Sequence, residues 1–172
     1  MKPSSLLFSR RVRQNHALEH ATITILSGMI PDLSISAHSN DDGFVILGDV
    51  DLGLLRRAMD EALRRLQAGE AELAIHPNCG TNIAVGISLI TLGTLFGLAS
   101  NQPRTRVAAA AASSLAGLMA ARPVGKYVQR HFTTLPDLTD VHVTEIARRK
   151  FFGLTFIEVH TVGKVHSEHD AM

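Results

Sequence analysis

The residues with the most chemistry to offer are a histidine pair, a glutamate and a cysteine. They lie in two short stretches, Asn15-His16-Ala17-Leu18-Glu19-His20-Ala21 and His76-Pro77-Asn78-Cys79-Gly80-Thr81-Asn82. On a helix, side chains four residues apart project from one face, so His16 and His20 would present both imidazoles together. Two neutral imidazoles one turn apart suit one edge of a tetrahedral zinc site. Glu19 lies beside His20, within reach of anything bound between the rings. Val12, His16, Glu19, Ile23 and Leu26 form one helical stripe, continued by Ile30, so titratable groups share the face expected to be buried. Burying a carboxylate and imidazoles costs several kcal/mol unless they are paired or hold a metal. In the second stretch His76 and Cys79 are an imidazole and a thiol at ligand spacing. Pro77 and Gly80 impose an irregular backbone there, and Thr81 or Asn82 is the expected cap of a following helix.

The spelling His16-x-x-Glu19-His20 resembles the inverzincin signature H-x-x-E-H of inverted zinc peptidases. That resemblance implies His16 and His20 as zinc ligands and Glu19 as the group that polarises the attacking water. It is local: the downstream glutamate ligand of those larger enzymes has no assigned counterpart here, so their fold is not implied. The two stretches together resemble an uncharacterised family of small bacterial membrane proteins carrying N-H-A-L-E-H-A and H-P-N-C-G-T-N. This second resemblance covers the chain up to about Gln129 and implies a bacterial integral membrane protein, with no reaction attached.

Three chemistries are open to this set. In the first, zinc is held by His16, His20 and one or both of His76 and Cys79. Three protein ligands would leave a position for water and make Glu19 the base of a metal-dependent hydrolase of peptidase type; four would close the site into a structural clamp. In the second, Cys79 is a nucleophile favoured by a helix N-terminus, with a histidine as its base. In the third, these groups only hydrogen-bond in a non-enzymatic membrane interaction module. His38, His131, His142 and His160 read as ordinary strand or loop histidines, with His142 and His160 on strands where they could face each other.

The elements that must position these groups form a small α+β domain. A helix from Ser9 to Met29 would carry the histidine pair. Leu33 to Ser39 alternates like a half-buried strand, Asn40-Asp41-Asp42-Gly43 signals a hairpin turn, and Phe44 to Leu47 returns. Asp49 or Asp51 would cap a second helix whose Leu55, Ala58, Met59, Ala62, Leu63 and Leu66 repeat at helical spacing, with Gly69 as its stop. Glu72 to His76 reads as a third strand, and Val141–Arg149 and Leu154–Val162 as two more, turning near Gly153. The expectation is a small mixed sheet with two helices, built from residues 1–80 and 123–164. Residues 165–172, with His166 and His169, are expected to be a disordered tail.

Two apolar runs interrupt this domain. Ile83 to Ala99 and Val107 to Ala121 contain no charged residue. The first approaches the roughly 20 residues needed to cross a ~30 Å hydrocarbon core, and the second would cross as its partner in a hairpin over residues 81–122. Gly86, Gly93 and Gly97 present a small-residue face suited to close helix packing, within a hairpin or in a homodimer. Arginines cluster before the hairpin and Lys126, Arg130, Arg148, Arg149 and Lys150 follow it, whereas its link carries Arg104 and Arg106. The positive-inside tendency therefore predicts that both soluble parts, and both termini, face the cytoplasm; with the family resemblance this implies a multi-pass protein of the bacterial inner membrane. Met1-Lys2-Pro3-Ser4 has no signal-peptide character. Membrane lipid is the expected partner, and no substrate is indicated. With 17 Lys+Arg against 16 Asp+Glu, 5% aromatics and no Trp, nucleic acid is not an expected partner. The single cysteine leaves no intrachain disulfide to form.

Overall fold

The computed structural model describes residues 9–100 and 103–163. The expected tail, with His166 and His169, lies outside them. The chain divides into two compact units, residues 1–75 with 132–172, and residues 76–131.

The first unit is the α+β domain. Helix α1 spans Arg10–Met29, and the Ser9 side chain accepts the Val12 N–H at 3.0 Å to satisfy its first turn. Strands β1 (Ser36–Asn40) and β2 (Gly43–Leu47) form the expected hairpin. Gly43 is required at its corner, because a Cβ there would collide with the backbone carbonyl of Val159. Asp51 caps α2 (Leu52–Gln67), accepting the Leu54 N–H at 2.8 Å. Leu55, Ala58, Met59, Ala62 and Leu66 are the buried stripe, and Gly69 follows with φ of +93°.

Strands β3 (His142–Phe151) and β4 (Leu154–Val162) complete a sheet of order β1-β2-β4-β3. Every ladder is antiparallel, so the α+β class holds with a sheet that is not mixed. The strand expected over Glu72–His76 is absent from it; Ala71–Ala74 coil instead into a 3₁₀ turn. Short local bonds, Leu73 N–H to Glu70 and Ile75 N–H to Glu72, satisfy that backbone without a ladder, and its Glu-Leu-Ala composition has little strand preference. His142 and His160 do not face each other: a bulge between Val143 and Glu145 sets His142 opposite Val162 and Glu145 opposite His160.

The period of two in β2 and β4 builds the core. Phe44 lies opposite Val159 and Ile46 opposite Ile157, and all four are buried with Leu18, Leu26, Leu55 and Met59. Each such side chain contributes about 1.5–3 kcal/mol by leaving water. The α1 stripe is broader than the sequence suggests. Ala17, Leu18 and Ala21 are fully buried beside Glu19 and Leu26, while Val12, His16 and Ile23 are half-buried.

The second unit is a pair of antiparallel helices, α3 (Gly80–Leu98) and α4 (Arg106–Val128). Helix α4 continues past Ala121 and through Pro123, which cannot donate to the preceding turn, before a π-helical turn at Gln129–Thr133. The glycines permit backbone contact: a Cβ on Gly93 would stand 2.5 Å from the Ser113 carbonyl oxygen, and one on Gly117 equally close to that of Leu89. Gly97 likewise abuts the Ala110 backbone. Gly93 and Gly97 thus pack against α4 of the same chain. Thr94 and Ser114 add an interhelical hydroxyl bond of 2.7 Å. Both helices are long and apolar enough to cross a membrane.

Candidate metal centre

Helix α1 places the histidine pair at its middle, where Gln14 to Thr22 are buried except for half-buried His16. The two rings meet edge to face, centroids 4.2 Å apart and planes at 62°. Each offers a ring nitrogen within 4.8 Å of one on the other.

Both rings are fixed through the same atom. His16 Nδ1 lies 3.0 Å from the Thr133 carbonyl oxygen, and His20 Nδ1 lies 2.8 Å from that of Ala74. A carbonyl oxygen can only accept, so each Nδ1 carries the hydrogen, and in a neutral ring the lone pair then resides on Nε2. Fixing the distal N–H on a backbone carbonyl is the arrangement that orients metal-binding histidines. The two carbonyls come from irregular backbone, the 3₁₀ turn and the end of the π-helical turn.

Around the pair, α1 is tied to its surroundings by polar side chains. Asn15 donates to the Asn40 carbonyl at 2.8 Å and accepts from the Thr161 hydroxyl at 2.7 Å, joining α1 to the β1–β2 turn and to β4. Glu19, 6% exposed, accepts a hydrogen bond from the Ser39 hydroxyl on β1. Arg13 donates to the Thr134 carbonyl at 3.1 Å, while the Leu135 N–H returns a bond to the Arg13 carbonyl. Burial holds the Arg13 guanidinium below its usual pKa, with the positive charge of Arg10 acting in the same direction. These bonds hold the segment that supplies the Thr133 carbonyl against the helix that bears His16.

His76 and Cys79 belong to the second unit. Cys79 itself caps α3, its sulfur accepting the Thr81 N–H at 3.4 Å, in place of the expected Thr81 or Asn82. Asn82 instead folds back, donating to the carbonyls of His76 at 3.2 Å and Pro77 at 2.8 Å. Gln129, fully buried, accepts the His76 N–H at 3.0 Å and donates to the Asn82 Oδ1 at 2.7 Å. The irregular Pro77–Gly80 backbone is therefore clamped from both of its own ends. Sequence reasoning missed Gln129 and the two histidine-orienting carbonyls. Gln129 lies 47 residues from the amide it holds, and a carbonyl has no residue type to betray it.

Residues 11–146 match a family described as a domain of unknown function (DUF6391), a span that includes both chemistry-bearing stretches and both apolar helices. An uncharacterised protein of Picosynechococcus sp. (strain ATCC 27264 / PCC 7002 / PR-6) is 37% identical over 135 residues, covering 72% of this chain and 65% of the relative. The chain thus spans slightly less than two thirds of that relative's length. No solved structure matches it.

Proposed function

The chain belongs to the DUF6391 family, and we propose from its own side chains that it is a membrane-anchored metal-binding protein. The Nε2 atoms of His16 and His20 would hold a zinc-class cation. The observation that carries this reading is the shared geometry: each Nδ1–H faces a backbone carbonyl, which puts each lone pair on Nε2, and the two rings offer nitrogens within 4.8 Å of one another.

Cys79 is the thiolate we assign as a third ligand, with His76 as the remaining candidate. A cation in such a set would act as a Lewis acid and lower the pKa of bound water. Glu19 is then the residue proposed as base in a hydrolase of peptidase type, its carboxylate oriented by Ser39. If all four positions are filled by protein, the same residues make a structural clamp in a non-enzymatic module.

Helices α3 and α4 are proposed to cross the bacterial inner membrane as a hairpin, with both termini cytoplasmic. Two features support this. Only 6% and 11% of their most apolar windows are buried, and Phe96 and Val107 are each 79% exposed, which is unfavourable in water and favourable in lipid.

Metal analysis of detergent-purified full chain tests the centre. Wild type should hold about one zinc-class ion per chain, with His16→Ala or His20→Ala abolishing it and Cys79→Ser weakening it about 10–100-fold or more. Glu19→Gln should keep metal and fold while abolishing hydrolysis in the catalytic form. A folded, metal-free wild type that takes up no added zinc overturns the reading. Resistance to carbonate extraction tests the anchor.

A further inference from the structure

The β3–β4 turn carries an exposed aromatic pair that neither the fold nor the proposed metal centre uses. Phe151 and Leu154 close the ladder, leaving Phe152 and Gly153 as the two turn residues, with φ of +48° and +78°. Two consecutive residues of positive φ favour Asn-Gly, and a bulky side chain is disfavoured at the first of them. Phe152 nevertheless occupies it and is 90% exposed, beside Phe151 at 65% and Leu154 at 52%. The two phenyl rings contact only edge to face, centroids 4.5 Å apart, so this arrangement gains nothing from core packing.

The approach to the turn is basic. Lys150 lies opposite Thr155 in the ladder; further back, Arg149 is paired with Glu158 at 2.8 Å and Arg148 stands 3.6 Å from Asp49. An aromatic tip with an ammonium at its base matches a bilayer interface, where rings enter the headgroup region and a cation meets anionic phosphates. A protein partner is less well matched. Three apolar side chains at a two-residue turn fall far short of the roughly 800 Å² per partner in a stable interface.

We propose that the Phe151–Leu154 tip is a membrane-contact loop, inserting its aromatic pair into the headgroup region of an anionic bilayer with Lys150 against the phosphates. It depends on the membrane reading of α3 and α4 only for the presence of lipid.

The chain contains no Trp, so one introduced indole reports unambiguously. Full-length Phe152→Trp would be reconstituted into phosphatidylcholine/phosphatidylglycerol vesicles containing shallow-brominated lipid. Phe96→Trp on α3 serves as the reporter of membrane insertion, and Arg57→Trp on the exposed face of α2 as an aqueous control. Phe152→Trp should lose about half its emission to brominated lipid and resist aqueous iodide, and adding Lys150→Glu should reduce that quenching. Arg57→Trp should show the reverse. Quenching of Phe96→Trp without Phe152→Trp overturns this inference and leaves the anchor intact; no quenching of Phe96→Trp overturns the anchor itself. An indole at 152 shielded from both quenchers means that protein covers the tip, which also overturns the proposal.

Discussion

Helices α1 and α3 invert the usual relation between polarity and burial, in opposite ways. α1 buries Gln14, Asn15, Glu19 and His20, whereas α3 exposes Ile83, Ile87, Leu92 and Phe96. Each helix therefore needs something that its own composition does not supply. For α1 it is a set of acceptors and donors from distant backbone, since an unmet buried polar group costs about 1–3 kcal/mol. For α3, on the anchor proposed above, it is a surrounding medium that does not penalise apolar surface. Polarity read from a sequence thus says what a segment demands, and only its neighbours say how the demand is met.

The comparison can be pressed hardest with one chemical change at two sites. Leu18→Ala in α1 removes a fully buried side chain and should cost about 2–5 kcal/mol in thermal unfolding of the detergent-solubilised chain. Leu92→Ala in α3, at a position 62% exposed, should change the same transition by about 0.5 kcal/mol or less. Equal costs would mean that α3 is packed as tightly as α1. Gly97→Leu ranks next, because its side chain would enter the Ala110 backbone; about 1–3 kcal/mol should be lost as α3 and α4 are forced apart. Gly80→Ala, with open space around its Cβ, is the matched control.

Ser39→Ala sharpens the polar side of the contrast. It removes the hydroxyl that donates to buried Glu19 and should destabilise by about 1–3 kcal/mol. The smallest effect concerns Asp137, whose pKa is lowered by the Thr139 hydroxyl and amide and by Arg10. Its folded pKa lies below its unfolded one, so its contribution is present above the unfolded value and is lost as pH falls through the folded value. Asp137→Asn should therefore lower the neutral plateau of a stability–pH profile slightly and leave its acid end almost unchanged, flattening the limb between them.

Legibility followed the range of each interaction. The cap and buried stripe of α2, the Asn40–Gly43 turn and the two apolar runs depend on neighbours within a few residues, and their spacing announces them. The Glu72–His76 strand failed because a run of three apolar residues between Glu72 and His76 is too short to show a period, and the local Glu70 and Glu72 carbonyls decided it. Cys79 as a helix cap was missed because sulfur is a weak acceptor rarely counted among caps.

The sequence by itself determined which side chains could bind a cation, that His16 and His20 share a helical face, and that two segments are too apolar to be comfortable in water. The tertiary structure alone decided which ring nitrogen of each histidine faces a backbone carbonyl. The Thr133 and Ala74 carbonyls lie 117 and 54 residues away along the chain. The physical reason is that every residue carries the same carbonyl: residue type fixes what a side chain can donate, while only the folded path fixes which backbone oxygen receives it.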